Sequence, residues 1–295
     1  MEMTATVPKK KKSGQSYIWY LFLLPTIVGI VLFILYPVYE SFRLSFFRSS
    51  GTSETWVALS NYERVLTSSS FWNSVYNTFY IAFFQLLIAI PLGFIIASLI
   101  NSIIRFQNFF KSVFFLPHVT SMVAAAMIFP LCCTGNGVVQ LLSFTRITDV
   151  FVLSHPDSSK GGVVLLTVWH WLGFVIIICL ANLQAISSEL YEAADIDGAS
   201  GLQKWFFITI PNMGGTFAFL LVIGWIAGLQ RFNEVFVFGG ASGSPSRSLQ
   251  TMVLFIYERG FSGFEFGIAS AATVILFIII LVLTLINLRL ARVRM

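Results

Sequence analysis

Six apolar runs, each near the length of a bilayer crossing, constrain this chain more than any other feature. A helix needs about 20 consecutive, mostly apolar residues to span the hydrocarbon core. The runs cover residues 17–38, 75–99, 113–131, 163–183, 216–229 with a continuation to 237, and 268–288. They predict an all-α integral membrane protein of six transmembrane helices. The fifth run is the most interrupted: Gly214, Gly215, Gly224 and Gly228 punctuate it, and Gln230, Arg231, Asn233 and Glu234 follow at once.

The charge content agrees with that class. Only 11% of residues are charged, whereas a soluble domain carries about 25%, so lipid is the main solvent. An even number of spans places both termini on one side. Lys9, Lys10, Lys11 and Lys12 mark one terminus and Arg289, Arg292 and Arg294 the other, so the positive-inside rule makes both cytoplasmic. The loops with Arg105, Lys111 and Lys204 then fall inside as well. The net charge of +5 reads as membrane topology; no basic stripe interleaved with aromatics signals nucleic acid. Residues 1–16 form a basic cytoplasmic tail, and residues 17–295 one transmembrane domain. The first run is too long for a secretory leader and lacks a small-residue cleavage site. Cys132 and Cys133 are adjacent, which strains a bridge between them, and Cys179 lies within a span; no metal-ligand spacing is present.

The outward loops differ in character. Residues 39–73 mix aromatic and polar side chains and are expected to fold against the membrane surface. Residues 132–162 hold an amphipathic piece, GVVQLLSF, and the turn-rich SHPDSSKGG. The last contains GGASGSPSRS, which must be loop.

Between the fourth and fifth spans, on the inferred cytoplasmic face, lies a polar island over residues 187–211. It carries Glu189, Glu192, Asp195 and Asp197, then Gly198, then Trp205, Phe206, Phe207, Ile208 and Pro211. Ser188 is suited to cap a helix whose first turn holds Glu189 and Glu192, where the dipole favours negative charge. Ala193 and Ala194 keep that helix slim, and Gly198 supplies a C-cap or a close-packing point. Helices that lie on lipid are usually basic. An acidic one followed by an apolar segment is shaped to enter a groove on another protein.

These residues carry a resemblance. EAADIDGASGLQKWFFITIP resembles the EAA loop of binding-protein-dependent ABC importer permeases, with Glu192, Ala193, Ala194, Gly198, Ile208 and Pro211 in register. LFLLPTIVGIVLFILYPVYESFRLSFF, LSNYERVL, FWNSVYNTFY, LPHVTSMV, LQRFNEVFVFGG and FGIASAATVILF extend the likeness over nearly the whole chain, toward the F-type member of the maltose and glycerol-3-phosphate permease pair. Two places depart from the pattern. Ile210 stands before Pro211 where Leu is usual, and GGASGSPSRSLQT replaces a GGP-plus-Thr stretch.

The resemblance implies the type I ABC importer permease fold in a bacterial inner membrane. It implies four partners: a second homologous, G-type permease, a cytoplasmic ATPase dimer, an extracytoplasmic solute-binding protein and a carbohydrate substrate, an oligosaccharide ahead of glycerol phosphate. Glu192, Ala193, Ala194, Asp197, Gly198 and Pro211 would couple this chain to the ATPase. The chain has no GxxxxGK[ST] loop of its own, so it needs no cofactor and ATP would be bound by the partner. By position, Gln230 and Asn233, with Trp169 and Gly173, match residues lining the translocation path. Amides that donate and accept suit hydroxyl-rich solutes, and an indole packs on a sugar ring. Trp169 and Trp171 also fit an interfacial aromatic belt; His170 reads as helix packing and His118 as interfacial. Arg231 and Glu234 are placed to pair locally. An enzyme is disfavoured, since the spans hold no paired acids, GxSxG or metal-ligand set. A scaffold without transport accounts for the docking loop and not for the polar path.

Overall fold

A computed structural model describes residues 16–102, 106–133 and 155–292. The Lys9–Lys12 tail, Arg105, the GVVQLLSF piece and the side chains of Cys132 and Cys133 lie outside what it describes. Among the described residues, five helical stretches are long and apolar enough to cross a bilayer: Tyr20–Leu44, Ser69–Ser102, Ser158–Leu183, Gly214–Gly239 and Phe266–Arg289. A bent pair, Gln107–Val119 with Met122–Phe129, turned by 89°, passes the same test only when its two arms are taken together, which brings the number of spans to six if the pair is one crossing.

In chain order, α1 (Ser16–Ile30) passes through a π turn, Val31–Leu35, into α2 (Tyr36–Leu44). A hairpin of β1 (Phe47–Ser49) and β2 (Glu54–Trp56) and the short α3 (Ser60–Leu66) precede α4 (Ser69–Ser102). Phe47 stands opposite Trp56 in the antiparallel register, and Asn61 Nδ2 donates to the carbonyls of Ser45 and Phe47 at 2.9 Å each. The mixed aromatic and polar segment after the first span is thus a folded unit.

The bent pair is α5 (Gln107–Val119) and α6 (Met122–Cys133), where the sequence predicts one continuous third span. Pro117 sits in the last turn of α5, Thr120 is extended (φ −68°, ψ 147°), and Thr120 Oγ1 donates to the Pro117 carbonyl at 2.7 Å. A side chain that takes over a helix carbonyl competes with helix continuation, so the span turns at Thr120–Ser121.

Then come α7 (Pro156–Leu183), α8 (Ser188–Ile196), α9 (Gly201–Lys204), a π turn at Trp205–Thr209, α10 (Ile210–Asn212), α11 (Gly214–Leu229), α12 (Asn233–Gly239), α13 (Met252–Tyr257), a π turn at Glu258–Ser262, and α14 (Phe266–Arg292). The pair α4–α7 forms the most extensive contact in the bundle. In lipid the hydrophobic effect does not pull helices together, so association relies on close packing of small residues. Gly224 and Gly228, spaced by one turn, do that on α11. A Cβ on Gly228 would meet Ala82 Cβ at 2.7 Å, and one on Gly224 would meet the Trp171 ring at 2.7 Å. Of the four glycines that punctuate the fifth span, Gly224 and Gly228 are contact points with α4 and α7, whereas a Cβ on Gly214 or Gly215 would meet no atom within 4 Å. The real interruption is at Gln230–Phe232, where Phe232 adopts φ −136°, ψ −55°.

One buried cluster joins α4, α7 and α11 around Ile81, Leu86, Phe94, Trp171, Val175 and Leu220. A second joins α4, α13 and α14 around Phe71, Phe255, Ile268 and Leu276. By contrast, none of the apolar window of the first span is buried.

Candidate functional site

At one end of the bundle α7 stops at Leu183 and the polar island begins. The N-cap of α8 is Ser187, one residue earlier than Ser188: its extended backbone (φ −59°, ψ 132°) lets Oγ accept from the Glu189 N–H at 3.3 Å. The other end closes on Gly198 at φ +74°. The Ala199 N–H reaches the Ala194 carbonyl at 2.9 Å and the Gly198 N–H that of Asp195 at 3.1 Å, the paired bonds of a Schellman cap. A Cβ at Gly198 would meet no atom within 4 Å, so glycine is required here by backbone conformation and leaves open space beside it.

The next turn is capped reciprocally. Ser200 Oγ accepts from the Gln203 N–H at 3.4 Å and Gln203 Oε1 from the Ser200 N–H at 2.7 Å. This capping box is legible in the sequence as Ser-x-x-Gln, from Ser200 to Gln203, and is absent from the expectations for this loop. Lys204 Nζ then donates to Asp195 Oδ1 at 2.6 Å and the Tyr191 hydroxyl pairs with Thr209 Oγ1 at 2.9 Å, folding α8 back over the following turns. Trp205 anchors the assembly to α4. Its indole stacks on Phe94 at 5.2 Å, and Nε1 donates to Ser98 Oγ at 3.2 Å. Pro211 has no N–H to offer the carbonyl four residues before it; the chain widens into the π turn just ahead of it, and Pro211 itself is exposed.

What remains outside is distinctive. Glu189, Glu192, Ala193, Asp197 and Gly198 are exposed, and so are Ile196 at 88%, Phe207 at 78% and Leu202. An acidic slim helix thus projects beside uncovered apolar side chains, on a loop whose own bonds hold it in shape. Such a surface is prepared for a protein groove with basic and apolar walls.

The other candidates lie deeper in the bundle, around the middle of α4 and α7. Gln230 and Asn233 flank the break between α11 and α12, and both are exposed. Trp169 on α7 is 45% exposed, whereas Trp171 is 7% exposed and lies over Gly224; Trp171 belongs to the core and not to an interfacial belt. Gly173 gives its space to the backbone of α5, since a Cβ there would collide with the Phe114 carbonyl oxygen. The room it leaves is therefore taken by a neighbouring helix, not held open beside Trp169. His118 is likewise turned inward: its Nδ1 lies 3.2 Å from the His170 carbonyl, and His170 Nε2 lies 3.3 Å from the Thr120 carbonyl. The two rings brace the bend between α5 and α6 against α7.

Beside Gln230 and Asn233, Arg231 pairs with Glu234 in a buried salt bridge, and Arg231 also donates to Gln85 Oε1 on α4. The local pairing is as the sequence predicts. Gln85 was missed, although a lone amide in the middle of the 75–99 run is the kind of intramembrane polar residue that marks a site. Phe232, Phe236, Tyr257 and Phe261 add a row of rings 5.1–5.2 Å apart from α12 to the π turn after α13. Among the described residues no group of three His, Cys, Asp or Glu could hold a metal ion.

Comparison with known proteins places these features in context. The family described as binding-protein-dependent transport system inner membrane component matches residues 70–293. The chain is 34% identical over 279 residues to the arabinooligosaccharides transport system permease protein AraP of Bacillus subtilis (strain 168), covering 92% of this chain and 88% of that one. It is 33% identical over 270 residues to the lactose transport system permease protein LacF of Rhizobium radiobacter, covering 90% of each. Among solved structures it is similar to a chain of a bacterial ABC transporter involved in the import of the acidic polysaccharide alginate. That match has a TM-score of 0.79 and 26% identity, and covers 94% of this chain and 96% of that one.

Proposed function

The chain belongs to the binding-protein-dependent transport system inner membrane components, and from that premise we propose that it is the permease half of an ATP-driven importer for an oligosaccharide. The observation that carries the reading is the projecting loop at residues 187–211: a self-braced acidic helix, with Glu192 and Gly198 exposed, followed by uncovered Ile196, Leu202 and Phe207. The chain carries no phosphate-binding loop, so the loop is where energy from a separate ATPase enters.

In this account α8 seats in a cleft of a cytoplasmic ATPase subunit. Glu192 accepts hydrogen bonds from basic side chains or backbone N–H groups there, and Gly198 keeps the helix end bare so that the cleft wall can approach. A second, G-type permease supplies the other half of the pore, and an extracytoplasmic binding protein delivers solute. Both termini are cytoplasmic, and the Gln230–Asn233 end faces outward. Closure of the ATPase dimer pushes the loops, and the bundle rocks between inward- and outward-facing states that ATP and solute stabilise differentially. Because Trp205 is fixed to Phe94 and Ser98, a push on α8 passes directly to α4.

Solute choice follows from the outer end. Gln230 and Asn233 present amides, and Trp169 an indole face, which suit neutral hydroxyl-rich rings. Arg231, the basic residue beside them, is occupied by Glu234 and Gln85, so it is not free to neutralise a phosphate. This favours an oligosaccharide over glycerol phosphate, in line with the arabinooligosaccharide and lactose names of the relatives. The test is vectorial uptake: proteoliposomes of the assembled complex, loaded with ATP and given the binding protein, should accumulate a labelled oligosaccharide. Accumulation without ATP, or of glycerol phosphate alone, would defeat the proposal.

A further inference from the structure

Four residues at the α11–α12 break alternate in environment. Gln230 and Asn233 are exposed, while Arg231 and Glu234 are buried, at 9% and 4% exposure. The Arg231 guanidinium gives Nη1 to Glu234 Oε1 and Nη2 to Gln85 Oε1. Its backbone carbonyl, within the non-helical break, accepts from Thr251 Oγ1 at 3.0 Å. Thr251 is itself the cap of α13, accepting from the Leu254 N–H at 3.3 Å. One residue thus fastens the break to α4 through its side chain and to α13 through its backbone.

Stability alone is a poor reason for this arrangement. Desolvating two charges costs as much as their attraction returns or more, and apolar residues of similar volume pack as well. Ionisable groups inside spans are costly wherever they occur. What the pair does supply is geometry. A guanidinium is a rigid fork that bridges two acceptors on two elements at once, which a lysine ammonium on a flexible stem does not reproduce. The helical bonds on either side, from the Gln230 N–H to the Ile226 carbonyl at 3.3 Å and from the Phe236 N–H to the Phe232 carbonyl at 2.9 Å, fix each helix end but not the angle between them, on which the directions of Gln230 and Asn233 depend.

We propose that Arg231 is a positioning residue: by clamping the α11–α12 break to Glu234 and Gln85 it sets the aim of Gln230 and Asn233, and so the importer's choice of oligosaccharide, without touching the solute. The inference rests on Gln230 and Asn233 lining the path. Its test uses the assembled complex in proteoliposomes with two readouts. The first is the rate at which a water-soluble maleimide modifies an Asn233→Cys reporter, in a background without the native cysteines, against a control cysteine at Ser242. The second is the relative uptake of labelled arabinotriose, maltotriose and lactose with Asn233 restored.

Arg231→Lys should shift the reporter rate and the uptake ratios by about threefold or more, as expected for a loosened positioning contact. The swap Arg231→Glu with Glu234→Arg should return both toward wild type, because a pair is again formed and the Gln85 amide can donate to Glu. Should Arg231→Lys fail to assemble, Gln85→Met decides, since it removes only the tether to α4 and is expected to move both readouts in the same direction. Altered yield or melting with reporter rate and uptake ratios unchanged would overturn the proposal and leave a merely structural pair. Unchanged ratios in Gln230→Ala and Asn233→Ala would remove those residues from the path and take the inference with them. Changed ratios there, with none in the Arg231 or Gln85 variants, would sink the inference alone.

Discussion

At the scale of single residues, Glu192 and Gly198 do different work although they lie on the same short helix. Glu192 offers a charge at an exposed position and makes no side-chain hydrogen bond or ion pair among the described residues, which leaves it free for the proposed contact with the ATPase. Gly198 has a conformational role: at φ +74° any L-residue with a side chain costs about 1–2 kcal/mol, and a bulky one also fills the open space beside it. Glu192→Ala and Gly198→Val are therefore expected to leave the permease in the membrane and to lower ATP-driven uptake by about tenfold or more, the size of a lost interface hot spot. Uptake and copurification of the ATPase, measured on equal amounts of permease, check this. Wild-type values for both in either variant would remove the loop from coupling. Pro211 and Asp197 are exposed by the same loop, and the structure gives Pro211 a local reason of its own in the π turn that precedes it.

At the scale of elements, the packing of α11 tests the reading of the fifth span. Gly224 and Gly228 bring α11 against Leu86 and Ala82 of α4 and Trp171 of α7. Gly228→Leu should destabilise the bundle by about 1–3 kcal/mol through overpacking, seen as a lower melting temperature in detergent; an unchanged melting temperature would mean that α11 does not rest on Ala82. The elements also explain what was legible in the sequence. Five of the crossings were plain because long apolar runs have few other folds. The turn at Thr120–Ser121 was not, since apolar content is continuous across it and the cause is one hydroxyl and one proline in tertiary context. Gly224 and Gly228 read in the sequence as interruptions, because a sequence shows their lack of side chain and not the neighbour that uses it. Gly224 and Gly228 in fact stand in the GxxxG spacing typical of close helix contacts in membranes. The local structure of the loop at residues 187–211 is legible in the sequence to within one residue of its cap, because caps, helix dipole and glycine act locally. The outer site was less so: Gly173 faces α5, Trp171 is buried, and Gln85 joins Arg231 across 146 positions of chain, none of which local chemistry reveals.

At the scale of the whole molecule, the projecting loop and the α11–α12 break both rest on α4. It meets Trp205 near its last turns, through Phe94 and Ser98, and Arg231 midway, through Gln85. Under the proposed mechanism, a displacement of the loop at residues 187–211 can reach the break through α4, which carries Pro91 between Gln85 and Phe94. The orientation this requires is open to direct test. In a background lacking native cysteines, Ser200→Cys should react with an impermeant maleimide only from the cytoplasmic side, and Thr52→Cys only from outside; the reverse pattern would invert the account. The first span leaves its apolar face bare within this chain, as expected of a subunit that is completed by others. The function proposed for this chain is to couple ATP hydrolysis to oligosaccharide import. The measurement that meets it most directly is ATPase activity of the full complex in proteoliposomes, with its binding protein, across a panel of oligosaccharides and glycerol phosphates. The account predicts stimulation by the binding protein loaded with one oligosaccharide, abolished by Gly198→Val. Stimulation by glycerol phosphate alone, or none by any solute in a well-assembled complex, would contradict it.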